Sequence, residues 1–114
     1  MLEVSSPKLA WLLIVVSGVL EIAFASSLQL SNGFTRLVPA ASALVSGALS
    51  VYVMSLSLKL IPIGTAYAVW AGIGAVGTVV VGLVAFGESA SLVRLLCIAF
   101  IVAGIVGLQL TGSA

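Results

Sequence analysis

Apolar residues run along this chain in long blocks, and the polar ones gather at three short breaks. Four stretches, at 9–30, 38–59, 64–86 and 91–110, consist almost wholly of apolar or small residues. Between them lie Ser31-Asn32-Gly33, Ile61-Pro62-Ile63-Gly64 and Gly87-Glu88-Ser89, which are turn-forming combinations. A helix needs about 20 apolar residues to cross a bilayer. The pattern therefore predicts an all-α membrane protein with four transmembrane helices. They consume nearly the whole chain, so 1–114 reads as a single four-helix transmembrane domain with no soluble domain beside it.

The first stretch admits a second reading. Lys8, an apolar run and Ala23-Phe24-Ala25 resemble a secretory signal with its cleavage site. The run continues past that site, and three further stretches make the chain polytopic either way.

Composition sharpens the class. The chain is 62% hydrophobic and 6% charged, against about 25% charged in a soluble domain. It has no His and no Asp, and its single Cys, Cys97, lies within the fourth stretch. A His/Cys/carboxylate metal site and a Ser-His-Asp or Cys-His arrangement are out of reach within one chain. The glycines of "GIGAVG" fall inside an apolar helix without the Lys of a P-loop. No basic patch offers a nucleic-acid surface. The expectation is a non-enzymatic membrane protein that needs no metal or cofactor.

The positive charges are balanced across the membrane. With four spans, Lys8 and Lys59 fall on one side and Arg36 and Arg94 on the other. Positive residues set orientation by their asymmetry, and here there is none. The chain is expected to insert both ways up, so that two opposed copies can pair as an inverted repeat made of separate chains. Small residues supply candidate packing faces. Ala99, Ala103 and Gly107, with Gly104 beside them, form one stripe of the fourth helix. Ser42, Ser46 and Ser50 form another in the second, and Gly74, Thr78 and Gly82 a third. Packing within the chain accounts for most of these. The fourth helix, which carries no polar group suited to a pore, is the expected dimer face.

One ionisable residue interrupts the first stretch near mid-membrane. An ionised carboxylate there costs on the order of 2–3 kcal/mol or more, so Glu21 should face a cavity or a partner. Ser17, Gly18 and Ala25, one helical turn away, are small and leave space around it, and Phe24 forms one wall. No Lys or Arg lies at a comparable depth. The partner of the acid must then arrive from outside, as a proton or a cation. Competition between the two for one carboxylate is the physical basis of an antiporter. In the third stretch Tyr67 and Trp70 share a face and can present aromatic rings to a cation; Tyr67 reads equally as an interfacial anchor. Ser50 can orient Glu21 or bond its own helix backbone.

These residues carry a resemblance. The lone Glu21, "GFTRLVP" at 33–39 and "IPIGTAYAVWAGIGAVG" at 61–77 resemble the small multidrug resistance family over nearly the whole chain, from about Trp11 to Leu110. The resemblance implies a proton-coupled exporter of small organic cations in the bacterial inner membrane. It also implies an antiparallel homodimer whose shared site contains both copies of Glu21, with Tyr67 and Trp70 as binding-site aromatics. "GTAYAVWAGIGAVG", Gly18 before Glu21, Ala25 after it and Ser50 are most like the guanidinium-exporter branch, in which that Ser helps to hold the glutamate. A planar guanidinium suits a carboxylate because its donor fork matches two oxygens. Phe24, Gln29 and Gln109 depart from the Trp, Lys and Lys usual in that branch. Two alternatives go with those departures: a broad-specificity exporter of aromatic and quaternary ammonium cations, or one subunit of a heterodimeric exporter. A non-transporting membrane subunit and a rotary-ring proton subunit fit less well, since ring subunits carry their acid in the last helix of a hairpin.

Overall fold

The computed structural model describes residues 6–111; the extreme ends of the expected 1–114 domain lie outside the described residues. Its helices are α1 (Pro7–Leu30), α2 (Leu37–Ser57), α3 (Ile63–Ala85) and α4 (Leu92–Leu110). Each is long and apolar enough to cross a membrane. The fold is therefore all-α with four candidate membrane-spanning helices.

Local chemistry sets the helix boundaries. Pro7 opens α1 in the first turn, where a missing N–H costs nothing. Ser91 caps α4 by accepting a hydrogen bond from the Arg94 N–H at 3.3 Å. The turn after α1 passes through three residues with positive φ, Asn32 (48°), Gly33 (70°) and Phe34 (66°). Phe34 takes this conformation although it is not glycine, because Ser31 holds the turn. The Ser31 hydroxyl donates to the Leu28 carbonyl at 2.8 Å and accepts from the Phe34 N–H at 3.1 Å. α2 stops at Ser57, just short of the expected 59, and residues 58–61 turn the chain before Pro62. Helix α1 runs unbroken through Ala23–Ala25.

The helices form a slab of 40 × 38 × 17 Å. Its order is α2, α1, α3, α4: α1 packs on both α2 and α3, α4 packs on α3 alone, and α2 barely meets α3. The serine stripe of α2 belongs to the α1–α2 seam. Ser42 shares a hydrogen bond with Ser27 of α1 at 2.9 Å, and Ser50 donates to the Ser17 carbonyl at 2.7 Å. Small hydroxyl side chains suit such a seam, since they let backbones approach and satisfy themselves locally.

The buried apolar cluster sits at one end of the slab. It joins Ala10 and Ile14 of α1, Leu56 at the end of α2, Ile61 in the turn that follows, and Ala66 and Val69 at the start of α3. The opposite end has no comparable cluster among the described residues. No residue of α4 is buried, and Ala99, Ala103, Gly104 and Gly107 all lie on its exposed surface.

Candidate functional site

Glu21 stands fourteen residues past Pro7 in α1, about 21 Å along the helix at 1.5 Å per residue. That keeps it deep in the span. Its side chain crosses the α1–α3 seam, where a Cβ at Gly74 would lie 2.7 Å from Glu21 Cγ. Only glycine at that position lets the acid lie there. Gly18 behaves differently from the expectation that it leaves space around Glu21. It is buried, and a Cβ on it would meet Ile73 Cγ2 at 2.7 Å. Its small size brings α1 against α3 below the acid, which fixes the seam rather than opening it. Ser17, also buried, donates to the Ile14 carbonyl at 2.9 Å.

On its other side Glu21 borders an open cleft of about 650 Å³ lined by α1, α2 and one aromatic of α3. Phe24, Gly47, Val51, Tyr52 and Trp70 line it. Phe24 reaches it because a residue three positions after Glu21 shares the same helix face. The walls are otherwise apolar, and no Lys or Arg borders the cleft. The ion pair of Arg94 with Glu88, at 3.0 Å, lies away from the cleft, beside the α3–α4 turn.

Trp70 is held in place by two linked hydrogen bonds. Its indole N–H donates to Ser50 Oγ at 2.8 Å, and Ser50 Oγ donates to the Ser17 carbonyl at 2.7 Å. The chain Trp70–Ser50–Ser17 joins α3, α2 and α1. From the sequence, Ser50 reads as orienting the Glu21 carboxylate or as bonding its own helix backbone. In this structure its hydrogen goes to a backbone carbonyl one turn before Glu21, and its lone pair goes to Trp70. It acts on the acid through the helix that carries it.

Tyr67 and Trp70 do share a face, with ring centroids 5.4 Å apart at 46°. Tyr67 nevertheless does not line the cleft and is 57% exposed. Tyr52 does line it, although nothing in the sequence pattern singles it out. Its only signal was an aromatic ring within an apolar span. Gly47 lines the cleft as well, with no side chain to mark it in the sequence.

A second, smaller cavity of about 300 Å³ lies on the α1–α3 side towards the α3–α4 turn. Ser26, Gln29, Thr78 and Glu88 give it polar walls. Neither Glu21 nor any aromatic of the larger cleft lines it.

The chain matches the model of the Small Multidrug Resistance protein family over residues 9–101. The chain belongs to the small multidrug resistance family. A 102-residue match to a guanidinium exporter of Yersinia pseudotuberculosis serotype I (strain IP32953) is 51% identical, covering 90% of this chain and 98% of that protein. A guanidinium exporter of Proteus vulgaris is 47% identical over 102 residues, with the same coverage. One from Citrobacter freundii is 44% identical over 103 residues, 90% of this chain and 98% of its own. As a small multidrug resistance protein, the chain is a multi-pass membrane transporter and not an enzyme.

Proposed function

We propose that this small multidrug resistance protein exports guanidinium and small substituted guanidinium ions in exchange for protons, across the bacterial inner membrane. The relatives named above are guanidinium exporters, and the match covers 98% of each. The observation that carries the mechanism is Glu21, a carboxylate deep in the span that borders a cleft with no Lys or Arg on its walls. Protonated, it releases a cation; ionised, it takes one. Trp70 offers a π-face beside it, fixed by Ser50, and a guanidinium can engage both carboxylate oxygens at once. Gly18 and Tyr67 contribute at one remove, through the α1–α3 seam and the Trp70 ring.

The working unit is an antiparallel homodimer. The cleft is open along one side of a slab only 17 Å thick, so one chain supplies half an enclosure. The small-residue stripe Ala99, Ala103, Gly107 with Gly104 stands exposed on α4 and suits close approach of a second copy. The balance of Lys8 and Lys59 against Arg36 and Arg94 suits opposed insertion.

A second reading, export of bulkier quaternary ammonium ions, is favoured by the apolar walls of the cleft and by Phe24. The deciding measurement is electrogenic current from reconstituted protein given guanidinium, an alkylguanidinium and a tetraalkylammonium ion, with Glu21→Gln as control. Guanidinium current that disappears in Glu21→Gln is the expected result. Current with bulky cations alone overturns the guanidinium assignment, and current surviving Glu21→Gln overturns the mechanism.

A further inference from the structure

The Phe24 ring lies against the backbone of α2 at Gly47. A Cβ at Gly47 would lie 2.8 Å from Phe24 Cδ1, 3.0 Å from Cε1 and 3.4 Å from Cγ. One edge of the ring therefore occupies the volume that any side chain at 47 would need. Both residues border the cleft, together with Val51 and Tyr52 further along α2. With α1 behind it and α2 beside it, a displaced ring moves into the cleft.

We infer that Gly47 is a positioning residue that withdraws Phe24 from the cleft and thereby admits cations carrying an alkyl or aryl substituent. This inference rests on the guanidinium reading and concerns which members of that class are accepted. A bare guanidinium needs the carboxylate and its immediate surroundings. A substituted one must also lay its apolar tail along the wall formed by Phe24, Gly47 and Val51. Position 47 contributes no side chain to that wall, and the edge of the ring takes the space a Cβ would need. Moving the ring inward by the width of a methyl contact shortens the space for the tail and leaves the carboxylate where it is. Selectivity of about 10- to 200-fold for a single methylene is the ordinary scale of such apolar pockets.

The test is the ratio of butylguanidinium to guanidinium current in proteoliposomes, with phenylguanidinium as a wider probe. Gly47→Ala should lower that ratio by about tenfold. Adding Phe24→Leu to Gly47→Ala should restore it, because the smaller side chain vacates the volume the new methyl takes. Phe24→Leu alone should raise the ratio above that of the unmodified chain, and this arm stands even where Gly47→Ala does not fold. An unchanged ratio in Gly47→Ala, no recovery in the double variant, or no rise in Phe24→Leu overturns the inference. Unmodified protein that carries neither cation overturns the guanidinium reading and this inference with it. Unmodified protein that carries both, with a ratio insensitive to position 47, overturns only the inference.

Discussion

Glu21 lies across Gly74, so close that a Cβ on the glycine would stand 2.7 Å from Glu21 Cγ and 3.4 Å from its Cβ. The contact involves the root of the side chain and not its flexible end. Gly74→Ala must therefore push Glu21 away from its staggered rotamer or part α1 from α3. An off-rotamer side chain costs about 0.5–1.5 kcal/mol. Exchange should fall by about tenfold or more while helix content by circular dichroism stays unchanged. Full activity in Gly74→Ala would mean the acid is not held by this contact.

Ser50→Ala should loosen Trp70. The indole N–H loses its acceptor, and a polar group left unpaired in the span costs about 1–3 kcal/mol. Guanidinium affinity should drop, and Trp70 emission should change in a Trp11→Phe background, where Trp70 is the sole tryptophan of the chain. An unaltered emission spectrum would separate Ser50 from the aromatic wall.

Cation binding should weaken as pH falls. The sign follows from competition: a proton on Glu21 removes the charge that attracts the cation. Below the pH at which Glu21 protonates, apparent affinity should fall by about tenfold per pH unit for one proton displaced. Isothermal titration at several pH values measures the slope. Glu21→Gln should bind weakly with no such slope.

The unmodified chain should be found in both orientations. In a Cys97→Ser background, Ser89→Cys places a thiol in the exposed α3–α4 turn. A membrane-impermeant reagent applied from one side should label about half of the chains, because neither side holds more positive residues. Uniform labelling would point to one half of a heterodimer.

Bulk on the free face of α4 should separate the copies. Ala103→Leu and Gly107→Leu add bulk on the outer surface of the single chain, since Ala103 is exposed and no atom lies within 4 Å of a Cβ at Gly107. The dimer should dissociate at a higher protein-to-lipid ratio than the unmodified one, as read by crosslinking, with secondary structure intact.

The four spans were legible because nothing but a membrane accommodates such runs, and their ends were marked by Pro, Gly and Ser. Glu21 stood out by its isolation, and Phe24 followed from helical spacing. Other parts of the site depend on register between helices, which one helix's sequence does not carry. Whether the Ser50 hydroxyl meets a carboxylate, an indole or a carbonyl depends on how α2 slides along α1. Tyr67 shares a broad face with Trp70, yet three residues leave the two directions about 60° apart at 3.6 residues per turn. That angle takes Trp70 into the cleft and leaves Tyr67 outside it. Gly18 shows a different ambiguity, since a missing side chain means either room or contact, and here it means contact with Ile73.

The buried cluster of Ala10, Ile14, Leu56, Ile61, Ala66 and Val69 gathers at one end of the slab, so the molecule is mechanically uneven. Local opening is cheapest where few apolar contacts must be broken. Amide exchange should be slowest around that cluster and fastest towards the ends of α1 and α3 furthest from it. The stiff end works as a clamp for three helices, and the far end is left compliant. Glu21 and Gly74 sit between the two, where a small change of angle at the clamp becomes a change in the width of the seam.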